Sequence, residues 1–369
     1  MTRFAWVFNL DADFELTHKG YSTPDQLRAD LATHGTASRA LMGPEDVIAE
    51  PGMANPTRYV GRCWCPTPRA LTRLRAAGVT PEPAPPLAVL RRVNHRLFAC
   101  ELGGGLPQQH YVTTRAALDA IIAHPPRRID QEPSSPRTDQ EPSSPRTDQE
   151  PSSSRTDQEP SSPRTDQSPR TDQEPSSPRT DQEPSGPRID QEPSSRRIDQ
   201  EPSSRKQEGS WLLKRPLTFA GRGQLRVGDV LEDKQNSWVE KSLRQDGLVV
   251  EPLVVPTCEV SLHGFVWRDG RFELGEVCVQ EVSERGVFHS VRLATGGALS
   301  PAEVEALHEA ARRAALALVA ASYFGPFGID GYRYTSPWGR GFCALSEINA
   351  RFTLGFAVGF HRGLRTLAL

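Results

Sequence analysis

The sequence predicts a mixed fold: a small domain of alternating strands and helices, then a larger α+β region, with a long insert that does not fold between its parts. Three observations predict it. Strand-like and helix-like segments alternate over roughly residues 1–90, as in an α/β unit. Beyond residue 211 come strands joined by a hairpin signal, and one long capped helix. Between these regions lies a nine-fold repeat almost without apolar residues.

In order, Phe4 to Leu10 is a nearly unbroken apolar run, as in a strand covered on both faces, and Asp11, Asp13 and Glu15 after it read as a solvated loop. Thr23-Pro24-Asp25-Gln26 is a helix start, with Leu27 and Leu31 on one face and Gly35 as the stop. Tyr59 to Cys65 reads as a strand, and Thr67-Pro68 opens a helix with Ala70, Leu71 and Leu74 inward. Residues 91–127 begin a second region. Leu87 to Val93 has a helical pattern, Tyr111-Val112 is extended, and Thr114 caps a helix through Leu118, Ile121 and Ile122.

Residues 128–205 repeat Arg-(Thr/Ile)-Asp-Gln-Glu-Pro-Ser-Ser-(Pro/Arg) nine times, once shortened. Three isoleucines are the apolar content of the segment. It cannot bury enough surface to offset an ordering cost of roughly 1–2 kcal/mol per residue, and a solenoid would need an apolar layer in every repeat. A disordered insert acting as a passive spacer is expected. About 290 residues remain to build cores, enough for two domains.

Folding is expected to resume in the 206–369 region. Trp211 to Lys214 is a strand, 219–224 a glycine loop, Leu225 to Val227 a returning strand, and Gly247 to Val254 a buried strand broken by a turn. Glu259 to Trp267 and Arg271 to Glu281 form a hairpin about Asp269-Gly270. Ser300-Pro301-Ala302-Glu303 is a capping box opening a helix to about Tyr323. Strands follow at Gly328 to Tyr334 and Gly341 to Glu347, and a last helix from about Leu354.

A net charge of −2 gives no reason to expect nucleic acid or an acidic membrane as partner. The six cysteines are scattered and form no C-x₂-C pair, which argues against structural zinc and a disulfide framework. No apolar stretch approaches the roughly 18 residues of a membrane span, and Met1 to Leu10 lacks a signal-peptide pattern. A cytoplasmic protein is expected, and an oligomer is compatible with the sequence.

The chemistry centres on Leu345 to Arg351. Along an extended backbone Glu347, Asn349 and Arg351 point the same way. A carboxylate and an amide oxygen side by side are hard ligands that Mg²⁺ accepts, and arginine adds a fork for phosphate or carboxylate. A solvated strand end would show the same three residues. Asp330 precedes them on the strand leading toward them. A buried acid facing Glu347 and Asn349 makes sense with a cation between them, because paired like charges are otherwise costly.

With Lys214, the 221–223 glycine loop, Glu251 and Glu259, these residues fall in an order that resembles the ATP-grasp superfamily, in which two α+β subdomains cup ATP. The resemblance covers roughly 87–124 and 211–369, with a Rossmann-like pre-ATP-grasp domain ahead of it. It implies that Lys214 contacts the α/β-phosphates, with Gly221, Arg222 and Gly223 closing over them. It further implies that Glu251 and the backbone near Val254 read adenine, that Glu259 holds ribose, and that Asp330, Glu347 and Asn349 ligate one or two Mg²⁺. Arg351 would touch the γ-phosphate and the acceptor carboxylate. Three departures stand out: Arg96 occupies the place of a second phosphate-contacting lysine, Ala350 that of a proline, and the interval from Asp330 to Glu347 is long, with a loop at Thr335 to Gly339 expected to absorb the excess.

The reaction implied is ATP-dependent joining of a small-molecule or peptide carboxylate to an amine or thiol through an acyl-phosphate, which needs no nucleophilic side chain. His289 and Arg292 are candidates for binding the acceptor. The alternatives are an ATP-grasp small-molecule kinase and a non-catalytic nucleotide-binding or scaffold protein.

Overall fold

The computed structural model of the chain describes residues 2–17, 38–127, 211–218, 223–282 and 288–360. The helix expected at Thr23 to Leu31, the repeat insert, Gly221 and Arg222, and any helix past residue 360 lie outside the described residues.

Three sheets organise the rest. The first is parallel, in the order β2-β1-β3-β4, and consists of β1 (Phe4–Val7), β2 (Val47–Ile48), β3 (Val60–Cys63) and β4 (Thr80–Pro81). Helix α1 (Ala12–Thr17) follows β1, and α2 (Pro68–Ala76) follows β3. Thr67 caps α2, and Ala70 and Leu74 pack on Ala5 and Val7. The stretch expected to be a solvated acidic loop is instead the start of α1. Asp11 and Asp13 are buried there, and the Glu15 carboxylate accepts from Thr67 Oγ1 (2.5 Å) and from the Arg69 amide (2.8 Å). Acidic residues without a cation nearby in sequence look solvated; their partners come from distant parts of the chain.

Helices α3 (Leu87–Val93) and α4 (Arg96–Glu101) lead to β5 (His110–Val112) and α5 (Arg115–Ile122). The second sheet, β5-β8-β6-β7, is antiparallel, with β6 (Trp211–Lys214), β7 (Gln224–Val227) and β8 (Leu248–Pro252). Trp211, Leu213, Leu248 and Val250 face Leu118 and Ile122 of α5 and Val239 of α6 (Asp233–Gln245). Helix α6 carries a capping box between Glu232 and Gln235, a signal hidden in the sequence because the cap is a glutamate rather than Ser or Thr.

The third sheet, β11-β10-β9-β12-β13, is antiparallel and holds the longest strands: β9 (Val255–Val266), β10 (Phe272–Val282), β11 (Phe288–Leu293), β12 (Gly325–Ser336) and β13 (Gly339–Asn349). Helix α7 (Pro301–Ala320), started by the Ser300/Glu303 capping box, covers one face; Leu307, Ala311 and Leu318 share a core with Val260, Leu262, Phe327, Ile329 and Ile348. Short helix α8 (Phe356–Gly359) ends the described chain. This layout, a parallel α/β unit ahead of two α+β units, agrees with the fold class expected from the sequence.

The long interval between Asp330 and Glu347 is absorbed differently from the expectation. There is no five-residue loop: β12 and β13 run on to Ser336 and Gly339, with two residues in the turn. The remaining excess is a bulge of β13, where Asp330 pairs with Glu347 but Tyr332 pairs with Cys343. Gly331 sits in that bulge, and a Cβ there would lie 2.7 Å from the Cys343 carbonyl oxygen.

Gly264 of β9 has a similar constraint on the helix-covered face: a Cβ would fall 2.6 Å from Cε1 of Phe327 and 2.8 Å from the Glu273 carbonyl oxygen. Gly264→Ala should therefore cost about 1–3 kcal/mol by overpacking, read as a lower urea midpoint with an unchanged slope.

Candidate functional site

The face of the third sheet away from α7 follows from strand alternation. Val260 and Leu262 point into the helix-covered core, so Glu259 and Ser261 point the other way. Cross-strand register carries that face outward: Gln280 lies opposite Glu259, and Asp330 lies between Ser261 and Glu347. Glu259, Gln280, Asp330, Glu347 and Asn349 thus share one surface.

Asp330 is the hub. Gln280 Nε2 donates to its Oδ1 (2.9 Å) and Asn349 Nδ2 to its Oδ2 (2.7 Å). Both bonds run diagonally and depend on small neighbours: Ser261 lets Gln280 reach over β9, and Gly328, directly opposite Asn349, leaves room beside it. Burial, then the charge of Glu347, pushes the Asp330 carboxyl up to about 7. Burial also raises Glu259, with Lys214 pulling the other way.

Glu347 takes Arg96 as its partner, Oε2 to Nη2 at 2.8 Å. Arg96 is the first residue of α4, 8% exposed, and its Nε has no hydrogen-bond partner among the described residues. Burial opposes its charge, but Glu347, Glu251 and Asp330 together raise its pKa. On the second sheet, Leu248 and Val250 face the helices, so Glu251 lies on the other surface, where it pairs with Lys214. Both are buried. Val254, between β8 and β9, packs with Leu106, Tyr332, Tyr334 and Cys343. Gly223 keeps the positive φ (+71°) that its loop requires.

Arg351 does not point at the carboxylates. Its Nη2 and Nε bind Asp13 of α1 (2.7 and 3.2 Å), and both side chains are buried. Burial disfavours its charge, and Asp13 more than offsets that. Sequence reasoning misses Asp13 and Gln280, whose partners are 338 and 50 residues away. Arg292, a candidate for the acceptor, lies opposite Val279 on the helix-covered side of the sheet, with its guanidinium 3.9 Å from Glu281; His289 is exposed on edge strand β11. Neither joins the cluster.

Two carboxylates and one amide oxygen on a common face are hard donors suited to Mg²⁺, and a cation there would relieve both causes that raise Asp330, its burial first and then the charge of Glu347. Among the described residues no group of three or more His, Cys, Asp or Glu is gathered for a metal, so any metal set here depends on Asn349. No helix of the described chain is long and apolar enough to cross a membrane.

The sign of the Asp330 shift sets a pH dependence. Its folded pKa lies above the unfolded value of about 3.9, so the native state keeps a proton that the unfolded state has lost. That contribution is complete below about pH 4 and is lost as pH rises through about 7. Melting temperatures from about pH 4 to 8 without metal should fall less steeply for Asp330→Asn than for the wild type.

No family model and no curated protein matches the chain. Solved structures do. It is similar to N5-carboxyaminoimidazole ribonucleotide synthetase from Thermus thermophilus, with 16% identity and a TM-score of 0.39, over 84% of this chain and 61% of that one. It is similar to N5-carboxyaminoimidazole synthetase from Staphylococcus aureus complexed with ADP, with 11% identity and a TM-score of 0.42, over 86% and 61%. A biotin carboxylase–β,γ-ATP complex from Campylobacter jejuni gives 16% identity and a TM-score of 0.31, over 40% and 32%. The chain thus spans about three-fifths of the length of the first two.

Proposed function

We propose that this chain is an ATP-grasp ligase that joins a carboxylate to an amine or thiol at the expense of ATP. The observation that carries it is the placement of Arg96, paired with Glu347 of the third sheet and acted on by the charges of Glu251 and Asp330. Arg96, itself buried, thus stands near carboxylates of both sheets, where a polyanionic ligand lying between them would meet its charge.

In this reading Lys214 and Arg96 take the nucleotide's phosphates, and Glu251 and the segment around Val254 hold its base. Glu259 takes ribose, and Gly221, Arg222 and Gly223 cover the phosphates. Asp330, Glu347 and Asn349 would hold Mg²⁺, which neutralises charge on the transferring phosphoryl group. The γ-phosphoryl passes to an oxygen of the acceptor carboxylate, giving ADP and an acyl-phosphate. The nucleophile then attacks the acyl carbon and phosphate leaves. Arg351, held by Asp13, would orient the acceptor from the end of β13.

The test is ADP release by the purified chain across a panel of carboxylates, with hydroxylamine as a trap. Carboxylate-dependent ADP release with hydroxamate formation is the expected result. ADP release with no hydroxamate would point to a kinase instead, and ATP turnover indifferent to every carboxylate would remove the ligase reading. Glu347→Gln and Lys214→Ala should each lower turnover by roughly 10²-fold or more.

A further inference from the structure

A cavity of about 460 Å³ lies beside the cluster, and none of the residues assigned above to the nucleotide lines it. The wall between the two is one peptide step: Arg96 turns to Glu347, while His95, the cap of α4, lines the cavity and meets the ring of Tyr111 edge-on at 5.9 Å. Leu16, Phe98 and Leu217 give it an apolar lining, and its size is that of a small-molecule site.

Four charged groups line it, Arg92 and Glu101 at its exposed edge and Arg91 and Asp246 half-buried. Arg91 and Arg92 come from the last turn of α3, Glu101 from the end of α4 and Asp246 from the C-cap of α6. Among the described residues none of these four has an ion-pair partner. Arg91 uses Nε on the Leu16 carbonyl (2.8 Å), which leaves its terminal nitrogens, and the Arg92 guanidinium lies over the Phe98 ring at 5.7 Å. Among the described residues Asp246 engages only through its backbone: its N–H donates to the Ser242 carbonyl (3.2 Å) and its own carbonyl accepts from Tyr111 Oη (2.6 Å). Two cations and two carboxylates thus line one cavity without neutralising each other. A ligand carrying both signs at its ends would complete all four.

We propose that this cavity binds a small zwitterion with an apolar body, an α-amino acid or dipeptide. Its carboxylate would sit on Arg91 and Arg92, its ammonium group toward Asp246 and Glu101, and its side chain against Phe98 and Leu217. The site uses none of the nucleotide residues, so it stands or falls independently of the ligase reading.

Calorimetric titration of the full chain with L-leucine, L-phenylalanine and L-leucyl-L-leucine tests it, each beside its N-acetyl and methyl-ester forms. At least one zwitterion should bind, with both of its blocked forms weaker by about 10-fold or more. Arg92→Gln and Asp246→Asn, both outside any core, should each weaken that zwitterion by a similar factor and leave ATP binding unchanged. The proposal is overturned if no zwitterion binds, if either blocked form binds as tightly as its parent, or if both variants keep full affinity. A parallel ATP titration reports on the nucleotide site alone.

Discussion

The third sheet must bury one face under α7, and that constraint fixes nearly everything else about the candidate site. Once Val260, Leu262, Ile329 and Ile348 are committed to the helix, the intervening residues of β9, β12 and β13 are turned together onto the other surface. A one-residue slip in register would send Asp330 and Glu347 into the apolar core, where an unpaired carboxylate costs several kcal/mol. The hydrophobic face therefore acts as the register device for the polar one. Two small residues complete it: Gly328 and Ser261 leave the gaps through which Asn349 and Gln280 reach Asp330.

Charge on that surface is compensated pair by pair, and each pair joins separate parts of the chain. Arg96 of α4 meets Glu347 of β13, Lys214 meets Glu251 across the second sheet, and Arg351 meets Asp13 from the N-terminal α/β unit. Buried pairs of this kind add little net stability, but removing one partner leaves an uncompensated buried charge. Their physical effect is to hold long, flexible cations at fixed points, which favours a site that binds charge without first having to organise itself. Asp330 is the exception. Its two hydrogen-bond partners are neutral amides, and burial, then the charge of Glu347, outweighs what lowers it, so its carboxyl is pushed up to about 7.

The zwitterion cavity and the polar sheet face are separated by the turn that starts α4. Because α4 begins with His95 as its cap, consecutive side chains diverge, one into each space. The backbone amide of Arg96 also donates to the Pro216 carbonyl (3.1 Å), so the segment after Lys214 is tied to the same turn.

Much of this protein is determined by signals that span only a few residues. Caps at Thr67, Thr114 and Ser300, the hairpin about Asp269-Gly270 and the alternation in β9 and β12 all belong to that class. That Asp330, Glu347 and Asn349 fall on neighbouring strands is legible in the sequence, but the bulge of β13 that brings Glu347 opposite Asp330 is not. What only the tertiary structure decided is which charges meet. Asp11, Asp13 and Glu15 read as a solvated loop because burial of a carboxylate depends on a cation that sequence distance conceals; for Asp13 it is Arg351. Likewise charge alone draws Arg292 toward the acceptor, whereas strand parity places it on the other side of the sheet. Local propensity is written within a few residues of itself, while electrostatic partnership is set by how distant elements pack.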